Sequence, residues 1–152
     1  MKVIYAPNKI PTRVDKDCKM IFLAGSIEMG TAEEWQTRIG LYLADKNVIL
    51  LNPRRLDWDS SWVQSKDNLQ FREQVEWELY GLEMAHRVLM YFDPATKSPI
   101  SLLEFGLHAR SPQKLIVCCP DGFWKKGNVD IVCERYEIPQ IKNLTEVRDL
   151  FQ

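Results

Sequence analysis

Short apolar runs alternate with longer amphipathic segments along this chain of 152 residues, and the alternation predicts strands separated by helices. Four apolar runs are predicted to be strands: Met20–Ala24, Val48–Leu51, Val88–Phe92 and Leu115–Cys119. A short fifth strand is predicted over Ile138–Ile141, where Pro139 weakens the pattern. The runs are nearly continuous, which is typical of strands buried on both faces of a parallel sheet.

Helices are predicted between these strands and after the last one: Ala32–Ala44, Leu69–Ala85, Ile100–Ala109, Val129–Tyr136 and Leu144–Phe151. Thr31 is the predicted cap of the first helix. Helices that connect parallel strands cover both faces of the sheet. The predicted fold is therefore α/β, a flavodoxin-like or Rossmann-like three-layer sandwich with a five-stranded, mostly parallel sheet. The length fits one domain over residues 1–152.

Composition and charge narrow the class of protein. The hydrophobic fraction is 45%, the charged fraction is 27% and the net charge is −1, as in an ordinary globular protein. This balance predicts no partner among nucleic acid polymers, which prefer a basic face. No apolar run approaches the length of a membrane span, and the start of the chain lacks the apolar core of a signal peptide. We expect a cytoplasmic protein that binds no membrane.

The cysteines and histidines show no pattern typical of a metal site. Cys18, Cys118, Cys119 and Cys133 have neither CxxC nor zinc-like spacing, and they are interpreted as buried free thiols. The two histidines are too few and too far apart for metal ligation, and a surface or capping role is expected for both. No metal and no cofactor are predicted.

The carboxyl ends of the predicted strands are where ligands gather in such a sheet. The first of these ends carries Gly25-Ser26-Ile27-Glu28-Met29-Gly30, which matches neither a dinucleotide fingerprint nor a phosphate-binding loop. Gly25 and Ser26 therefore have two interpretations. They form a tight turn from strand to helix, or Ser26 and nearby backbone amides hold a small polar ligand.

One glutamate stands out on the helix that follows the third predicted strand. Ser98 is a plausible N-cap and Pro99 suits the first helical position. Glu104 then falls among apolar residues, with no acid next to it. Because burial disfavours a carboxylate, this placement favours covalent catalysis over a contribution to stability.

Two further features lie before that helix. Glu78 is at the edge of the apolar stripe formed by Val75, Leu79 and Leu82, where a glutamate is usually solvated. The connection over residues 52–68 is too long for a simple turn, and it contains Trp58 and Trp62. A cover over a substrate is therefore expected there.

Several segments together resemble the nucleoside 2-deoxyribosyltransferases and the related deoxynucleotide N-glycosidases. The matching segments are Ile21–Ile27, Asn52–Arg55, Glu78–Phe92, Ser98–Gly106 with its extension to Ala109, and Gly127-Asn128. The GSI and NPRR signatures within them are similar to one branch of transferase-like proteins. The resemblance runs from about Met20 to Asn128, and the order and spacing of the segments make it more specific than any single motif.

The resemblance implies roles for individual residues. Glu104 corresponds to the catalytic nucleophile, and Glu78, 26 residues earlier, corresponds to the acid that acts on the base. Ser98 corresponds to a contact with the 5′ end of the sugar, and Asn128 to an asparagine that a neighbouring subunit contributes to the same pocket. The implied partners are deoxynucleosides, free nucleobases and further copies of the chain in a homo-oligomer with shared active sites.

The resemblance also implies a reaction. Glu104 attacks the anomeric carbon and forms a covalent deoxyribosyl intermediate with retention, while Glu78 protonates the leaving base. Two carboxyl groups in one pocket are expected to have separated pKa values. Phe22, Trp58 and Trp62 are candidates to stack on the base and exclude water, although a core role is the default for an aromatic residue.

Three functions follow from these observations. The main hypothesis is a transferase that exchanges bases between deoxynucleosides. An N-glycosidase would use the same Glu104 and let water resolve the intermediate, and a nucleotide-sensing module of the same fold would bind without turnover. The best-known transferases have aspartate where Ser98 stands, whereas the nucleotide hydrolases have serine there and a basic residue where this chain has Glu28. The acidic Glu28 favours an unphosphorylated nucleoside as substrate.

Overall fold

The computed structural model describes residues 1–27 and 34–151, and over these residues the chain forms six strands and five α-helices. The strands are β1 (Lys2–Tyr5), β2 (Lys19–Gly25), β3 (Val48–Asn52), β4 (Arg87–Tyr91), β5 (Leu115–Cys118) and β6 (Gln140–Ile141). The helices are α1 (Trp35–Tyr42), α2 (Leu69–Met84), α3 (Pro99–His108), α4 (Lys126–Arg135) and α5 (Val147–Leu150). Three residues of the sequence predictions lie outside the described residues: Glu28, the predicted cap Thr31 and the predicted helix start Ala32.

All strand pairs are parallel, in the order β1-β3-β2-β4-β5-β6. The predicted fold class is confirmed, with one strand more than the five expected. The additional strand β1 pairs with β3 at the edge of the sheet, where Val3 lies opposite Leu50. Only Ile4 of its four residues is buried. The pattern of apolar residues did not predict β1, because an edge strand with one buried side chain has no long apolar run.

The helices form two layers with the sheet between them. Side chains of β2 alternate: Phe22 joins the core on one face, and Ile21 and Leu23 join the core on the other. The first core also contains residues of α2, α3 and α4, and the second contains residues of α1 and the C-terminal segment. The three-layer architecture follows from burial on both faces, as the continuous apolar runs predicted.

Most predicted helices are present with boundaries that moved by a few residues. Asn68 begins α2, because its Oδ1 accepts a hydrogen bond from the Phe71 amide at 2.9 Å. The predicted helix Leu144–Phe151 is wrong in detail: a 3-10 turn covers Leu144–Glu146 and α5 covers only Val147–Leu150. The Asn143 side chain accepts from the Thr145 amide at 3.0 Å and starts this tighter turn.

The cysteine interpretation is confirmed, since all four thiols are free and buried. Burial raises the pKa of Cys118 and Cys133 to about 12 and that of Cys119 to about 11, so these thiols stay protonated at neutral pH. None of the helices among the described residues is both long and apolar enough to cross a bilayer.

Candidate active site between the ends of strands β2 and β4

The candidate site lies at the carboxyl ends of the neighbouring strands β2 and β4, where the chain leaves toward opposite edges of the sheet. After β2 the chain continues toward β3, and after β4 it continues toward β5 on the other side. A crevice opens at such a point in an α/β sheet, and ligands bind there. The predicted site residues are carried by the end of β2, by the segment before α3, and by α2 and α3.

Gly25 ends β2 in tight contact with β4. Its φ is 143°, and a Cβ at this position would overlap the Tyr91 carbonyl oxygen. Only glycine permits this approach without strain. The next residue, Ser26, donates its amide hydrogen to the same Tyr91 oxygen at 3.1 Å. Gly25 thus directs the Ser26 side chain to the segment between β4 and α3.

A cluster of three buried hydroxyl groups, which we call the hydroxyl cluster, joins Ser26 to Thr96 and Ser98. Ser26 Oγ lies 2.8 Å from Thr96 Oγ1 and 2.5 Å from Ser98 Oγ. Thr96 Oγ1 lies 2.7 Å from Ser98 Oγ and also donates to the Asp93 carbonyl at 2.9 Å. The Asp93 amide donates to Ser26 Oγ at 3.0 Å. The cluster fixes the start of α3 against the end of β2.

Ser98 is the N-cap residue of α3 and Pro99 follows at the first helical position, as predicted. However, the Ser98 side chain forms no capping hydrogen bond, because its hydroxyl belongs to the hydroxyl cluster. Its backbone is left-handed, with φ 47° and ψ 55°. A serine rarely adopts this conformation outside functional or tightly constrained sites.

Helix α3 turns its acid and Phe105 inward, while its aliphatic side chains Ile100, Leu103 and Leu107 are exposed. Glu104 is only 8% exposed, whereas Leu103 next to it is 60% exposed. The Glu104 carboxyl group forms no hydrogen bond with any residue in the described part of the chain. Burial, and secondly the charge of Glu78, raise the pKa of Glu104 to about 8. The predicted burial of this carboxyl group is confirmed.

Glu78 lies on α2, at the margin of the buried face of that helix. That face consists of Gln74, Trp77, Gly81 and Leu82. Leu79, which was expected on it, is 39% exposed. Glu78 is half-buried, and desolvation of its carboxyl group raises the pKa to about 7, although a hydrogen bond from Gln74 opposes this rise.

The two carboxyl groups, 26 residues apart in sequence, are brought within electrostatic reach of each other. The expected separation of their pKa values is small, because burial raises both. Glu104 has the higher value, since the Glu78 charge adds to burial at Glu104 while an amide donor acts on Glu78. At neutral pH the pair without ligand therefore retains a proton on at least one carboxyl group.

Phe22 and Gly81 determine how closely α2 approaches the sheet. Phe22 is buried on β2, 6.0 Å from the Trp77 ring, and a Cβ on Gly81 would lie 2.7 Å from Phe22 Cε2. The phenyl ring therefore packs directly on the backbone of α2, one turn beyond Glu78. A contact of Phe22 with substrate stays a prediction.

The long connection between β3 and α2 is fastened to α2 by Arg55. The guanidinium bonds to Glu73 and to Asp57, each at 2.7 Å, and lies 5.1 Å from the centre of the Trp62 ring. Trp58 packs edge-on against Trp62 with 5.0 Å between ring centres. Within the described ranges neither indole makes a ring contact with Phe22, so their action as a substrate cover stays a prediction.

Asn128 lies exposed near the start of α4, where its side chain bonds to no other residue that the structure describes. Its contribution to a neighbouring subunit's site stays a prediction. Across the described ranges, no cluster of three or more potential ligands could hold a metal ion.

Sequence reasoning missed three buried polar residues at the site: Gln74, Thr96 and Ser101. Gln74 could have been found, because it interrupts the buried face of α2 four residues before Glu78. Ser101 lies one turn before Glu104 on the same inward face of α3. Thr96 lies in a turn where a hydroxyl residue is ordinary, so the sequence gives no signal for it.

One protein family matches the chain over more than half of its length. Residues 18–123 match the model of a protein family described as nucleoside 2-deoxyribosyltransferase like. The matched span includes Glu78, Ser98 and Glu104 and ends before Asn128. A search of the curated proteins found no match.

Proposed function

The chain belongs to the nucleoside 2-deoxyribosyltransferase-like family, and on this premise we propose that it exchanges the base of 2′-deoxynucleosides through a covalent intermediate on Glu104. One observation carries the proposal. Glu104 is a buried carboxyl group without a hydrogen-bond partner among the described residues, and a second desolvated carboxyl group, Glu78, interacts with it electrostatically. A buried carboxyl group without such partners lowers stability, and this placement favours a chemical role for it.

In the first step the Glu104 carboxylate attacks the anomeric carbon of the deoxynucleoside while the bond to the base breaks. The transition state resembles an oxocarbenium ion, and its positive charge favours the ionised form of Glu104. Glu78 donates its proton to a ring nitrogen of the departing base. In the second step Glu78 removes a proton from the incoming base, which displaces Glu104 and restores the original configuration.

The active form is the pair carrying one proton, with Glu104 ionised and Glu78 protonated. Burial raises the pKa of Glu104 to about 8 and that of Glu78 to about 7, so in the empty site either carboxyl group can hold this proton. Bound substrate selects the active arrangement, because the electron-poor anomeric carbon lies against Glu104 and the basic ring nitrogen lies against Glu78. Binding thus prepares the nucleophile and the acid together.

The remaining predicted residues complete the pocket. Gly25 and the hydroxyl cluster lie at the proposed place for the 5′ end of the sugar, with Ser98 as its contact. Phe22, Trp58 and Trp62 would flank the base and limit access of water to the intermediate. Asn128 would come from a second copy of the chain, which makes the active protein a homo-oligomer.

An N-glycosidase is the second candidate, favoured by the serine at position 98. It would use the same intermediate and release it to water. Incubation of one deoxynucleoside with and without a second free base separates the two functions. A new deoxynucleoside supports the transferase, whereas equal base release and no new nucleoside would identify the hydrolase.

Glu104→Ala tests the nucleophile. We expect this variant to fold and to lose turnover by at least about a thousandfold, and mass spectrometry of the wild-type protein to detect a deoxyribosyl adduct on Glu104. Turnover unchanged in Glu104→Ala would contradict the mechanism. Binding of deoxynucleoside without any turnover by the wild-type protein would instead support the sensing module.

A further inference from the structure

Gln74 connects Glu78 to the end of strand β3. Its side chain is 5% exposed, and its Nε2 donates to the Pro53 carbonyl oxygen at 2.8 Å and to Glu78 Oε1 at 2.7 Å. These two bonds use both hydrogens of the amide. The Gln74 Oε1 atom is buried and has no hydrogen-bond partner among the residues that the structure describes.

The Pro53 carbonyl determines which way this amide faces. A carbonyl oxygen only accepts, so an amide turned by 180° would place Gln74 Oε1 against the Pro53 oxygen at 2.8 Å. The turned amide would also present an acceptor to Glu78. Gln74 therefore donates to Glu78 and cannot accept from it, and its unpartnered Oε1 is the result of this fixed orientation.

A fixed donor distinguishes the two oxygens of Glu78. Oε1 receives the Gln74 hydrogen, and a proton placed on Oε1 would point into that donor or break its bond. Oε2 makes no hydrogen bond with the residues that the structure describes. When Glu78 is protonated, its proton therefore belongs on Oε2.

We propose that Gln74 is a positioning residue, which holds the Glu78 proton on Oε2 and so presents it to the leaving base. The inference rests on the proposed function in one respect, the role of Glu78 as the acid. The link between Gln74 and Glu78 itself does not depend on turnover, and it can be measured in the protein without substrate.

The first experiment records the side-chain amide signals of the wild-type protein by ¹H–¹⁵N NMR across the pH range. The Gln74 amide should titrate with the midpoint of Glu78, about 7. Gln36 is the matched control: it is 2% exposed, its buried Nε2 has no hydrogen-bond partner within the described ranges, and its Oε1 accepts from Arg54. A Gln74 signal that does not follow Glu78 overturns the inference.

The second experiment compares Gln74→Met with Gln36→Met. Loss of the amide donor in Gln74→Met should raise the pKa of Glu78 in a ¹³C carboxyl titration, whereas Gln36→Met should leave it unchanged. With an ordinary deoxynucleoside, whose base needs a proton to leave, kcat should fall about tenfold in Gln74→Met alone. With nitrophenyl 2′-deoxyriboside, whose leaving group needs no proton, kcat should stay within about twofold.

The outcomes separate this inference from the proposed function. An inactive wild-type protein in which Gln74 titrates with Glu78 contradicts the proposed function and preserves the link between the two side chains. Equal losses of kcat with both substrates would show that Gln74 supports only the fold, and this overturns the inference. Should Gln74→Met fail to fold, the titration of the wild-type amide still decides.

Discussion

Ser26 Oγ lies 2.5 Å from Ser98 Oγ, and this contact joins the end of β2 to the first residue of the turn into α3. The hydroxyl cluster offers three hydrogens, one from each group, yet its three mutual contacts and its bonds to the Asp93 and Tyr91 carbonyls would take five. The hydroxyl groups therefore have no hydrogen to spare for a ligand that only accepts, such as a phosphate dianion. A ligand hydroxyl can instead donate its own hydrogen to an oxygen of the cluster.

This hydrogen count predicts a preference for substrates with a free 5′-hydroxyl. We expect kcat/KM for a deoxynucleoside to exceed that for its 5′-monophosphate by about tenfold or more, because one unmatched polar contact costs about 1–3 kcal/mol. Competition between the two forms of one base measures the ratio. A preference for the monophosphate would contradict the assignment of this cluster to the 5′ end.

Ser98→Ala should weaken sugar binding more than it weakens the fold. Removing the Ser98 hydroxyl should raise KM for deoxynucleosides about tenfold, at a stability cost of about 1 kcal/mol. Thr96→Val is the matched control, since it removes another hydroxyl of the same cluster that has no proposed contact with substrate. Steady-state kinetics and thermal unfolding distinguish the variants, and equal changes of KM would count against Ser98 as a sugar contact.

Glu104→Gln should stabilise the protein at alkaline pH. The folded-state pKa of Glu104 is about 8, above its ordinary value of 4.5. Ionising this carboxyl group is therefore harder in the folded than in the unfolded protein, and the free energy of unfolding falls as pH rises from 4.5 through 8. Glutamine has the same shape and never ionises. We expect the free energy of unfolding of the variant to exceed that of the wild type by about 2–4 kcal/mol at alkaline pH and to match it in acid.

Thermal unfolding of Glu104→Gln and of the wild type across the pH range tests whether the variant becomes the more stable protein at alkaline pH. A difference between Glu104→Gln and wild type that is constant with pH would show that Glu104 does not titrate in the folded protein. Glu76→Gln is the control, because it makes the same substitution on the exposed face of α2.

Glu78→Gln should lower the pKa of Glu104. The charge of Glu78 is the second cause, after burial, of the raised pKa of Glu104. The neutral amide of Glu78→Gln removes this charge, whereas the burial of Glu104 remains. A ¹³C titration of the Glu104 carboxyl group should therefore give a midpoint below about 8 and still above 4.5. An unchanged midpoint would mean that the two carboxyl groups do not interact.

Gly81→Ala should destabilise the fold and disturb the site. The new methyl group would lie 2.7 Å from the Phe22 ring, so the buried ring or α2 must move, and a movement of α2 carries Glu78 with it. We expect a loss of about 1–3 kcal/mol, partly restored by Phe22→Leu. Gly106→Ala is the control: nothing lies within 4 Å of its added carbon, and helix propensity predicts a gain of about 0.5–1 kcal/mol.

The framework was predictable because its signals are local. The apolar runs around Leu23, Leu50 and Leu89 form the central strands of the sheet. Such strands are buried on both faces, so nearly all of their residues are apolar. The position of Ser98 before Pro99 likewise marked the start of α3. The strand β1 and the 3-10 turn at Leu144 lack these signals, because a short edge strand and a tight turn depend on their neighbours.

The site was harder to predict because its geometry is not local. Nothing in the spacing of Glu78 and Glu104 shows that two helices hold them side by side, and only the family resemblance paired them. The outward-facing Leu103 beside the inward-facing Glu104 reverses the usual preference, so an amphipathic pattern alone would orient α3 wrongly. The hydroxyl cluster depends on Gly25, whose effect appears only when β2 lies against β4.

The short strand β6 has a consequence for self-association. A parallel sheet with open edges can recruit strands from other molecules, which leads to aggregation. Here β6 contributes only Gln140–Ile141 and follows directly after Pro139, a residue with no amide hydrogen to offer. This edge presents too few backbone groups to template another chain, and copies of the protein that meet there have little tendency to join sheet to sheet.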